Sequence, residues 1–204
     1  MAQLYFRYSV MDSSKSANLL MVAYNYKKKN NKIILLKPNL DTRSASGYIE
    51  SRVGLKSPCI DIDKNTNIIE LFKEQDREVN NPIKAILVDE AQFLTKEQVE
   101  QLAYIVDKFN VPVLAYGLKN SYIKGELFEG SKALLYYADS IEQIKNICSC
   151  GKKATMNLRV LNGNPVYEGQ IINCGDTKPT DDYYIPVCRK HYFEPYKILK
   201  WKEK

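Results

Sequence analysis

The stretch that decides the fold runs from residue 4 to residue 16 and reads Leu4-Tyr5-Phe6-Arg7-Tyr8-Ser9-Val10-Met11-Asp12-Ser13-Ser14-Lys15-Ser16. An apolar-rich strand leads into a small polar loop, and Lys15-Ser16 then opens a helix. This order is typical of a phosphate-binding loop, in which backbone N–H groups and a helix N-terminus surround a polyphosphate. The pattern G-x-x-x-x-G-K-[ST] has glycine where this chain has Ser9 and Ser14. The lysine and the hydroxyl are present, but the residues that usually let the loop backbone bend are not.

The segments that follow the loop predict a parallel sheet flanked by helices. Apolar spacing favours a helix over residues 16–29, and the run at 32–37, which Pro38 ends, has the length of a buried strand. Strand, loop, helix and strand form a βαβ unit with a right-handed crossover. Further strands are expected at 83–88 and 111–116. Further helices are expected at 68–78, 95–109 and 131–138, whereas residues 39–60 are expected to be irregular.

Composition bears on where the protein is located and on which partners it binds. There is no apolar run of about 18 residues and no secretion signal, so a cytoplasmic protein without a membrane span is expected. The net charge of +6 is modest, and the basic clusters at residues 27–29 and at the C-terminus are interpreted as solvated surface, which makes a nucleic-acid partner unlikely. The odd count of five cysteines argues against a disulfide framework.

The character of the sequence changes near residue 144. Strand-like runs at 154–161 and 165–172 flank Asn162-Gly163, which is a strong hairpin signal, and residues 173–183 look loop-like. We therefore predict two domains, a nucleotide-binding α/β domain over residues 1–143 and a small hairpin domain over residues 144–204. The smaller domain contains Cys148, Cys150, Cys188 and His191, the only histidine of the chain.

Three thiolates and one imidazole complete a tetrahedral zinc shell, and a shell closed by four protein ligands is structural. The C-x-C spacing of the first pair departs from the usual C-x-x-C. The alternative is that unrelated buried cysteines accompany a surface histidine. We predict a structural Zn²⁺ site.

The strand at 83–88 ends in Asp89-Glu90, and acids at the carboxyl end of a parallel strand project into the ligand crevice. In phosphoryl transfer, one such acid holds Mg²⁺ and a neighbouring one accepts the proton of the attacking hydroxyl. The alternative is a capping acid at a strand–helix corner.

The whole chain resembles the thymidine kinases of the zinc-containing cytosolic type. Besides the loop, the matching stretches are Asp89-Glu90-Ala91-Gln92-Phe93, Gly125-Glu126-Leu127-Phe128-Glu129-Gly130-Ser131, Lys152-Lys153-Ala154-Thr155-Met156-Asn157-Leu158-Arg159 and Val187-Cys188-Arg189-Lys190-His191. They occur in the family's order from one end of the chain to the other.

The resemblance implies ATP-dependent phosphorylation of thymidine on its 5′-hydroxyl, with Glu90 as general base. It implies triphosphate and Mg²⁺ binding by Ser9, Ser13, Ser14, Lys15, Ser16, Asp41, Arg43 and Asp89. It implies a nucleoside pocket formed by Met11, Phe93, Tyr122, Phe128, Gly175 and Tyr184, the last two on a zinc-anchored lasso over residues 162–186. Members of the family are usually homotetramers, so a tetramer is expected.

The departures from the family pattern keep two functions open. Both loop glycines are lost, and the family's Gly-Leu-Arg-Thr-Asp-Phe becomes Gly117-Leu118-Lys119-Asn120-Ser121-Tyr122, in which a lysine replaces an arginine fork and an acid is absent. The first function is an active thymidine kinase. The second is a catalytically impaired, kinase-derived protein that binds thymidine, dTTP or a related ligand without turning it over.

Overall fold

A computed structural model describes residues 1–39, 47–170 and 181–199. Its strands are β1 (Leu4–Ser9), β2 (Ile33–Pro38), β3 (Tyr48–Glu50), β4 (Lys56–Pro58), β5 (Ile60–Ile62), β6 (Ala85–Val88), β7 (Val113–Leu118), β8 (Ser140–Gln143), β9 (Met156–Leu161), β10 (Asn164–Val166) and β11 (Asp182–Val187). Its α-helices are α1 (Lys15–Lys28), α2 (Ile68–Gln75), α3 (Lys96–Phe109), α4 (Glu129–Tyr137), α5 (Arg189–Phe193) and α6 (Tyr196–Leu199), with a 3-10 helix at Ala91–Phe93.

The main sheet has six strands in the order β5-β2-β6-β7-β1-β8, and every neighbouring pair is parallel. The predicted α/β class with a parallel sheet flanked by helices is therefore confirmed. The carboxyl ends of β1, β6 and β7 lie side by side, because β7 pairs with both of the others. This edge brings together the loop after β1 and the two acids after β6, although about 75 residues of sequence separate them.

Each face of the sheet buries a different set of helices. On one face, Leu4 and Phe6 of β1 belong to the same buried cluster as Phe72 of α2, Leu102 of α3 and Leu134 of α4. On the other face, Leu35 of β2 and Leu87 of β6 share a cluster with Leu19 and Ala23 of α1. The two clusters lie on opposite faces because consecutive side chains of a β-strand point to opposite sides of the sheet.

The smaller sheet is antiparallel, in the order β10-β9-β11, and it carries the predicted hairpin turn. Asn162 and Gly163 both have positive φ, 49° and 76°, which is the backbone that a two-residue turn of the primed type needs. The cluster beneath this sheet contains Leu158, Val187 and also Val10 of the phosphate loop. The loop and the small sheet therefore share one core.

Three parts of the structure differ from the sequence expectations. Residues 39–60 are not wholly irregular, because β3 and β4 form an antiparallel hairpin and β5 begins at Ile60. Strands of three residues are too short to give a periodic apolar pattern, which is why the sequence did not reveal them. The edge strands β8 and β11 were also missed, since acids and tyrosines interrupt their apolar residues.

Three predicted site residues, Asp41, Arg43 and Gly175, lie outside the described residues. Among the described residues, no helix has both the length and the apolar character needed to cross a bilayer.

Candidate active site

The phosphate loop is tightly turned between β1 and α1. Asp12 and Ser14 have positive φ, 57° and 58°, and α1 begins directly after Ser14. The Ser13 hydroxyl donates to the carbonyl oxygen of Val10 at 2.7 Å, and the ammonium of Lys15 donates to the same oxygen at 3.0 Å. No acid lies in the first turn of α1, so nothing on the helix itself opposes an anion at its N-terminus.

The two serines at the glycine positions have different environments. Ser9 is buried at the end of β1, its φ is not positive, and its hydroxyl donates to the carbonyl oxygen of Ile144 at 2.5 Å. Ser14 occupies the left-handed region that glycine enters more easily. Only the second position requires a residue that tolerates a positive φ.

The acidic pair lies next to the loop. Asp89 is buried at the end of β6, and Ser16 lies close enough to its carboxylate to lower the pKa of that group. Burial is the main cause that raises the pKa of Asp89; the charge of Glu90 adds to it, and the Ser16 hydrogen bond and the Lys15 charge oppose it. The Oδ1 atom of Asp89 is buried and has no hydrogen-bond partner among the described residues.

This donor set fits Mg²⁺. Magnesium takes oxygen ligands, and in phosphate-loop enzymes it is held by the loop serine or threonine and by an acid at a strand end. Ser16 and Asp89 are the residues of those types at the loop and at the end of β6, and they are close enough for Ser16 to influence the pKa of Asp89. A buried carboxylate oxygen without a donor is stabilised by a cation.

Glu90 follows Asp89 in a left-handed conformation, with φ 49° and ψ 39°. Its Oε2 accepts a hydrogen bond of 2.5 Å from the side-chain amide of Gln92. The other end of that amide, Oε1, accepts from the backbone N–H of Leu118 at 3.0 Å. Glu90 is thus connected to the end of β7 through one buried side chain.

The aromatic residues predicted for the nucleoside pocket form two contacting pairs. The rings of Phe93 and Phe128 meet edge to face with centroids 5.7 Å apart, and those of Tyr122 and Tyr184 meet at 5.8 Å. Met11 belongs to neither pair. Its backbone N–H donates to the side chain of Asn157 on β9 at 2.9 Å, so the small sheet holds this part of the loop.

The stems of the segment predicted as a lasso are held by a polar network. The guanidinium of Arg159 donates to both carboxylate oxygens of Asp182, at 2.8 and 2.6 Å, and to the hydroxyl of Tyr122 at 3.1 Å. That hydroxyl donates in turn to the carbonyl oxygen of Gln170 at 2.8 Å. Arg159 and Tyr122 therefore link Gln170 and Asp182, which are 12 positions apart within the predicted lasso.

The four predicted zinc ligands are brought together. The ligand atoms of Cys148, Cys150, Cys188 and His191 all lie within 4.8 Å of one another. Sγ of Cys150 and Sγ of Cys188 are 3.8 Å apart, and Sγ of Cys148 lies 3.3 Å from Nδ1 of His191. A tetrahedral zinc with bonds of about 2.3 Å to sulfur has edges of about 3.8 Å, so the cluster has the size that zinc needs.

Two thiols of the cluster have pKa values shifted in opposite directions. A backbone hydrogen bond from Lys152 lowers the pKa of Cys150, but burial and the side-chain contacts with Cys148 and Cys188 outweigh it and raise that pKa. Burial opposes loss of the Cys148 proton, but hydrogen bonds from the backbone of Cys150 and Cys188 and from His191 outweigh burial and lower the pKa of this thiol. Thiolates are the form that binds zinc. The C-x-C spacing therefore still closes a set of four ligands that fits a structural zinc ion.

Comparison with known proteins decides the family. A family model for thymidine kinase matches residues 2–192. The chain belongs to the thymidine kinase family. It is 48% identical to a thymidine kinase of Lactiplantibacillus plantarum over 201 residues, which is 98% of this chain and 100% of that protein. It is also 48% identical to a thymidine kinase of Lactococcus lactis, over 96% of this chain and 99% of that protein. A thymidine kinase of Enterococcus faecalis is 47% identical over 96% of each chain.

Four residues of this thymidine kinase family member were missed by sequence reasoning, although three of them contact predicted site residues and the fourth contacts the loop after β1. They are Arg52, Gln92, Asn157 and Arg159. Gln92, Asn157 and Arg159 lie inside stretches that matched the family. Their roles become visible only from contacts with residues that are distant in sequence. Arg52, at the turn of the β3–β4 hairpin, forms an ion pair with Asp12 of the phosphate loop, and no local pattern predicts that contact.

Proposed function

We propose that this chain transfers the γ-phosphate of ATP to the 5′-hydroxyl of thymidine, forming dTMP and ADP. The observation that carries the proposal is the convergence of Lys15, Ser16, Asp89 and Glu90 at the carboxyl edge of one parallel sheet, where Asp89 keeps a buried oxygen without a donor among the described residues. Family membership and relatives named thymidine kinase support the same substrate.

On the phosphate side, the chain's own groups bind and orient the triphosphate. The ammonium of Lys15 and the N–H groups at the start of α1 face the transferring phosphate, with Ser13 and Ser14 in the same turn. Ser16 and Asp89 hold Mg²⁺, which offsets the charge of the phosphate oxygens when it is bound. Asp41 and Arg43 are proposed to contact this side as well.

Glu90 is the proposed general base. Its carboxylate accepts the proton of the 5′-hydroxyl as that oxygen bonds to the γ-phosphorus, and the bond to the leaving ADP oxygen breaks. Gln92 holds one carboxylate oxygen from the side of the sheet. Because Asp89 and Glu90 are adjacent in sequence, the same strand end positions the metal and the base.

The base of thymidine is proposed to lie among Met11, the Phe93–Phe128 pair and the Tyr122–Tyr184 pair, with Gly175 of the lasso contributing backbone hydrogen bonds. Aromatic rings and a methionine offer stacking and apolar contact to a planar base. The bonds from Tyr122 to Gln170 and from Arg159 to Asp182 support this placement, because they hold both residues of the predicted lasso close to the Tyr122–Tyr184 pair.

A catalytically impaired nucleotide-binding protein is the second candidate, and Ser14 favours it. A serine with φ 58° carries a conformational cost of about 1 kcal/mol or more, and its Cβ lies where family members have only hydrogen. Lys119 and Ser121 also replace the arginine and aspartate of the family pattern. Such a protein would bind thymidine or dTTP and form no dTMP.

We further propose a structural zinc ion in the Cys148–His191 cluster, the division into domains 1–143 and 144–204, and a homotetramer in the cytoplasm. The change from the six-stranded parallel sheet to the three-stranded antiparallel sheet supports the domain boundary, although Val10 of the first domain packs into the core of the second. Sedimentation of the purified chain measures the oligomeric state directly.

The function is tested by incubating the protein with thymidine, ATP and Mg²⁺ and measuring dTMP and ADP. The proposal requires equal amounts of both products, and it requires Glu90→Gln to lower kcat by at least about a hundredfold while thymidine still binds. Calorimetric titration with thymidine, dTTP and ATP·Mg separates the candidates. Binding of thymidine or dTTP without product identifies the second candidate, and no binding at millimolar ligand excludes both.

A further inference from the structure

We propose that Gln92 is a positioning residue for the general base Glu90, and that its side-chain amide sets the orientation of the Glu90 carboxylate. This inference rests on the proposed function of Glu90. Gln92 lies in the 3-10 helix directly after the acidic pair and is 1% exposed, whereas Glu90 is partly exposed. A buried amide therefore donates to a partly exposed carboxylate.

The orientation of the Gln92 amide is fixed by the backbone N–H of Leu118, which can act only as a donor. A backbone N–H only donates, so the N–H of Leu118, 3.0 Å from Oε1 of Gln92, requires the oxygen of the amide on that side. The NH₂ group is then directed at Oε2 of Glu90, 2.5 Å away. The orientation follows from the hydrogen-bond network, which is how amide groups are assigned.

The amide is also held sterically. A Cβ on Gly117 of β7 would lie 2.8 Å from Oε1 of Gln92, so only glycine leaves room for this side chain at that point of the strand. A Cβ on Gly130 of α4 would lie 2.5 Å from the carbonyl oxygen of Ala91 and 3.0 Å from that of Gln92. Strand β7 and helix α4 therefore both pack closely against the 3-10 segment.

The donor to Gln92 is itself anchored. The hydroxyl of Ser131 in α4 donates to the carbonyl oxygen of Leu118 at 2.5 Å, which holds that residue from its other side. A chain of hydrogen bonds thus runs from α4 through the end of β7 and Gln92 to Glu90. Its links are buried apart from the carboxylate, and buried hydrogen bonds restrict rotation most strongly.

This anchoring matters because a glutamate has three side-chain torsions, and each freely rotating torsion dilutes the productive orientation. A misplacement of about 1 Å at a reacting group costs up to about a hundredfold in rate. Since the base acts only in the chemical step, loss of the amide is expected to lower kcat and leave nucleoside binding almost unchanged.

The experiment compares Gln92→Met with Gln98→Met. Gln98 is the matched control: it is 3% exposed, its Oε1 accepts from the backbone N–H of Thr95, and its Nε2 donates to the carbonyl oxygen of Asp63 at 2.7 Å. The partners of Gln98 in these bonds are backbone groups, whereas Gln92 donates to the carboxylate of Glu90. Gln92→Met loses two side-chain hydrogen bonds, and Gln98→Met loses three, the third being from Nε2 to the carbonyl oxygen of Thr66 at 3.3 Å. Both variants are therefore expected to melt at lower temperature.

Gln92→Met is expected to lower kcat by at least about tenfold with the thymidine KM within about threefold of wild type. Gln98→Met is expected to keep kcat within about twofold at a temperature where both variants are folded. Gln92→Glu is a second variant that retains an acceptor for Leu118 but turns an oxygen towards Glu90, and its kcat is expected to fall at least as far.

Four results would overturn the inference. An active wild type whose Gln92 variants keep kcat within about threefold excludes the positioning role and leaves the proposed function intact. Equal loss of kcat in Gln92→Met and Gln98→Met assigns the effect to stability alone. If Gln92→Met does not fold, an unchanged kcat in Gln92→Glu decides against the role, and a wild type that forms no dTMP removes both proposals.

Discussion

The hydroxyl of Ser9 donates to the carbonyl oxygen of Ile144 at 2.5 Å and so ties the end of β1 to the residue that follows β8. Ser14, five residues later, has no side-chain hydrogen bond to the start of α1 and has φ 58°. Both serines occupy glycine positions of the loop pattern. Ser9 makes a bond that glycine cannot make, and Ser14 holds a conformation that glycine adopts at lower cost.

Ser14→Gly is expected to tighten ATP·Mg binding and to raise kcat. Glycine removes both the cost of the positive φ and the Cβ that faces the phosphates, which together are about 1–2 kcal/mol, or roughly a tenfold change. Titration calorimetry with ATP·Mg and a dTMP assay measure the two effects. Unchanged affinity and rate would show that the loop binds phosphate equally well with serine.

Ser9→Gly is the control for this substitution. It removes the bond to Ile144 and adds backbone freedom, so it is expected to lower the free energy of unfolding by about 1–2 kcal/mol without improving ATP·Mg affinity. Thermal unfolding and the same titration check it. A gain in affinity from Ser9→Gly would contradict the assignment of strain to Ser14 alone.

Local patterns were sufficient for the longer elements of the main sheet. Helix α3 illustrates this: its apolar spacing and Thr95 predicted both its register and its start, and Thr95 forms a capping box with Gln98. The hairpin at Asn162-Gly163 was equally clear, because the turn chemistry is local. Strand β8 was not, since its position is decided by pairing with β1 rather than by its own composition.

The same distinction holds within the site. The zinc ligands and the acidic pair were visible because their chemistry lies in a few adjacent residues. The bonds from Gln92 to Leu118 and from Arg159 to Asp182 join residues 26 and 23 positions apart. Neither spacing is periodic, so the three-dimensional arrangement alone reveals which buried polar side chains serve the site.

One zinc per chain is expected by elemental analysis of the freshly purified protein. Cys188→Ser removes a ligand and is expected to lose the metal and to expose the 144–199 region to protease before the main sheet unfolds, because structural zinc contributes folding free energy. Cys59→Ser is the control, since Cys59 packs against the core of the main sheet and is not one of the four clustered ligands. Loss of zinc in both variants, or zinc retained in Cys188→Ser, would contradict the ligand set.

Asp89→Asn is expected to stabilise the protein in the absence of Mg²⁺ and nucleotide and to abolish dTMP formation. Asparagine removes a buried charge, one oxygen of which has no donor among the described residues, and this is expected to raise the free energy of unfolding by about 1 kcal/mol. The substitution also removes the proposed metal ligand, so dTMP formation is lost. Asp139→Asn is the control, because that carboxylate already accepts from the N–H of Leu4 at 2.7 Å and no gain is expected. Thermal unfolding with and without ATP·Mg separates the two effects.

Arg159→Met is expected to destabilise the small domain in a pH-dependent way. Arg159 lowers the pKa of Asp182, so this carboxylate is protonated less readily in the folded chain than in the unfolded chain. Its stabilising effect is therefore complete above the unfolded value of about 3.9 and is lost as the pH falls through the lower folded value. The difference in unfolding free energy between wild type and Arg159→Met should be constant above about pH 5 and shrink below about pH 4.

Lys96→Met, which breaks the exposed pair with Glu100, is the control, with an expected change of at most about 0.5 kcal/mol. Urea unfolding followed at several pH values measures both differences, and a gap between wild type and Arg159→Met that persists unchanged to pH 3 would show that the pair with Asp182 is not its source.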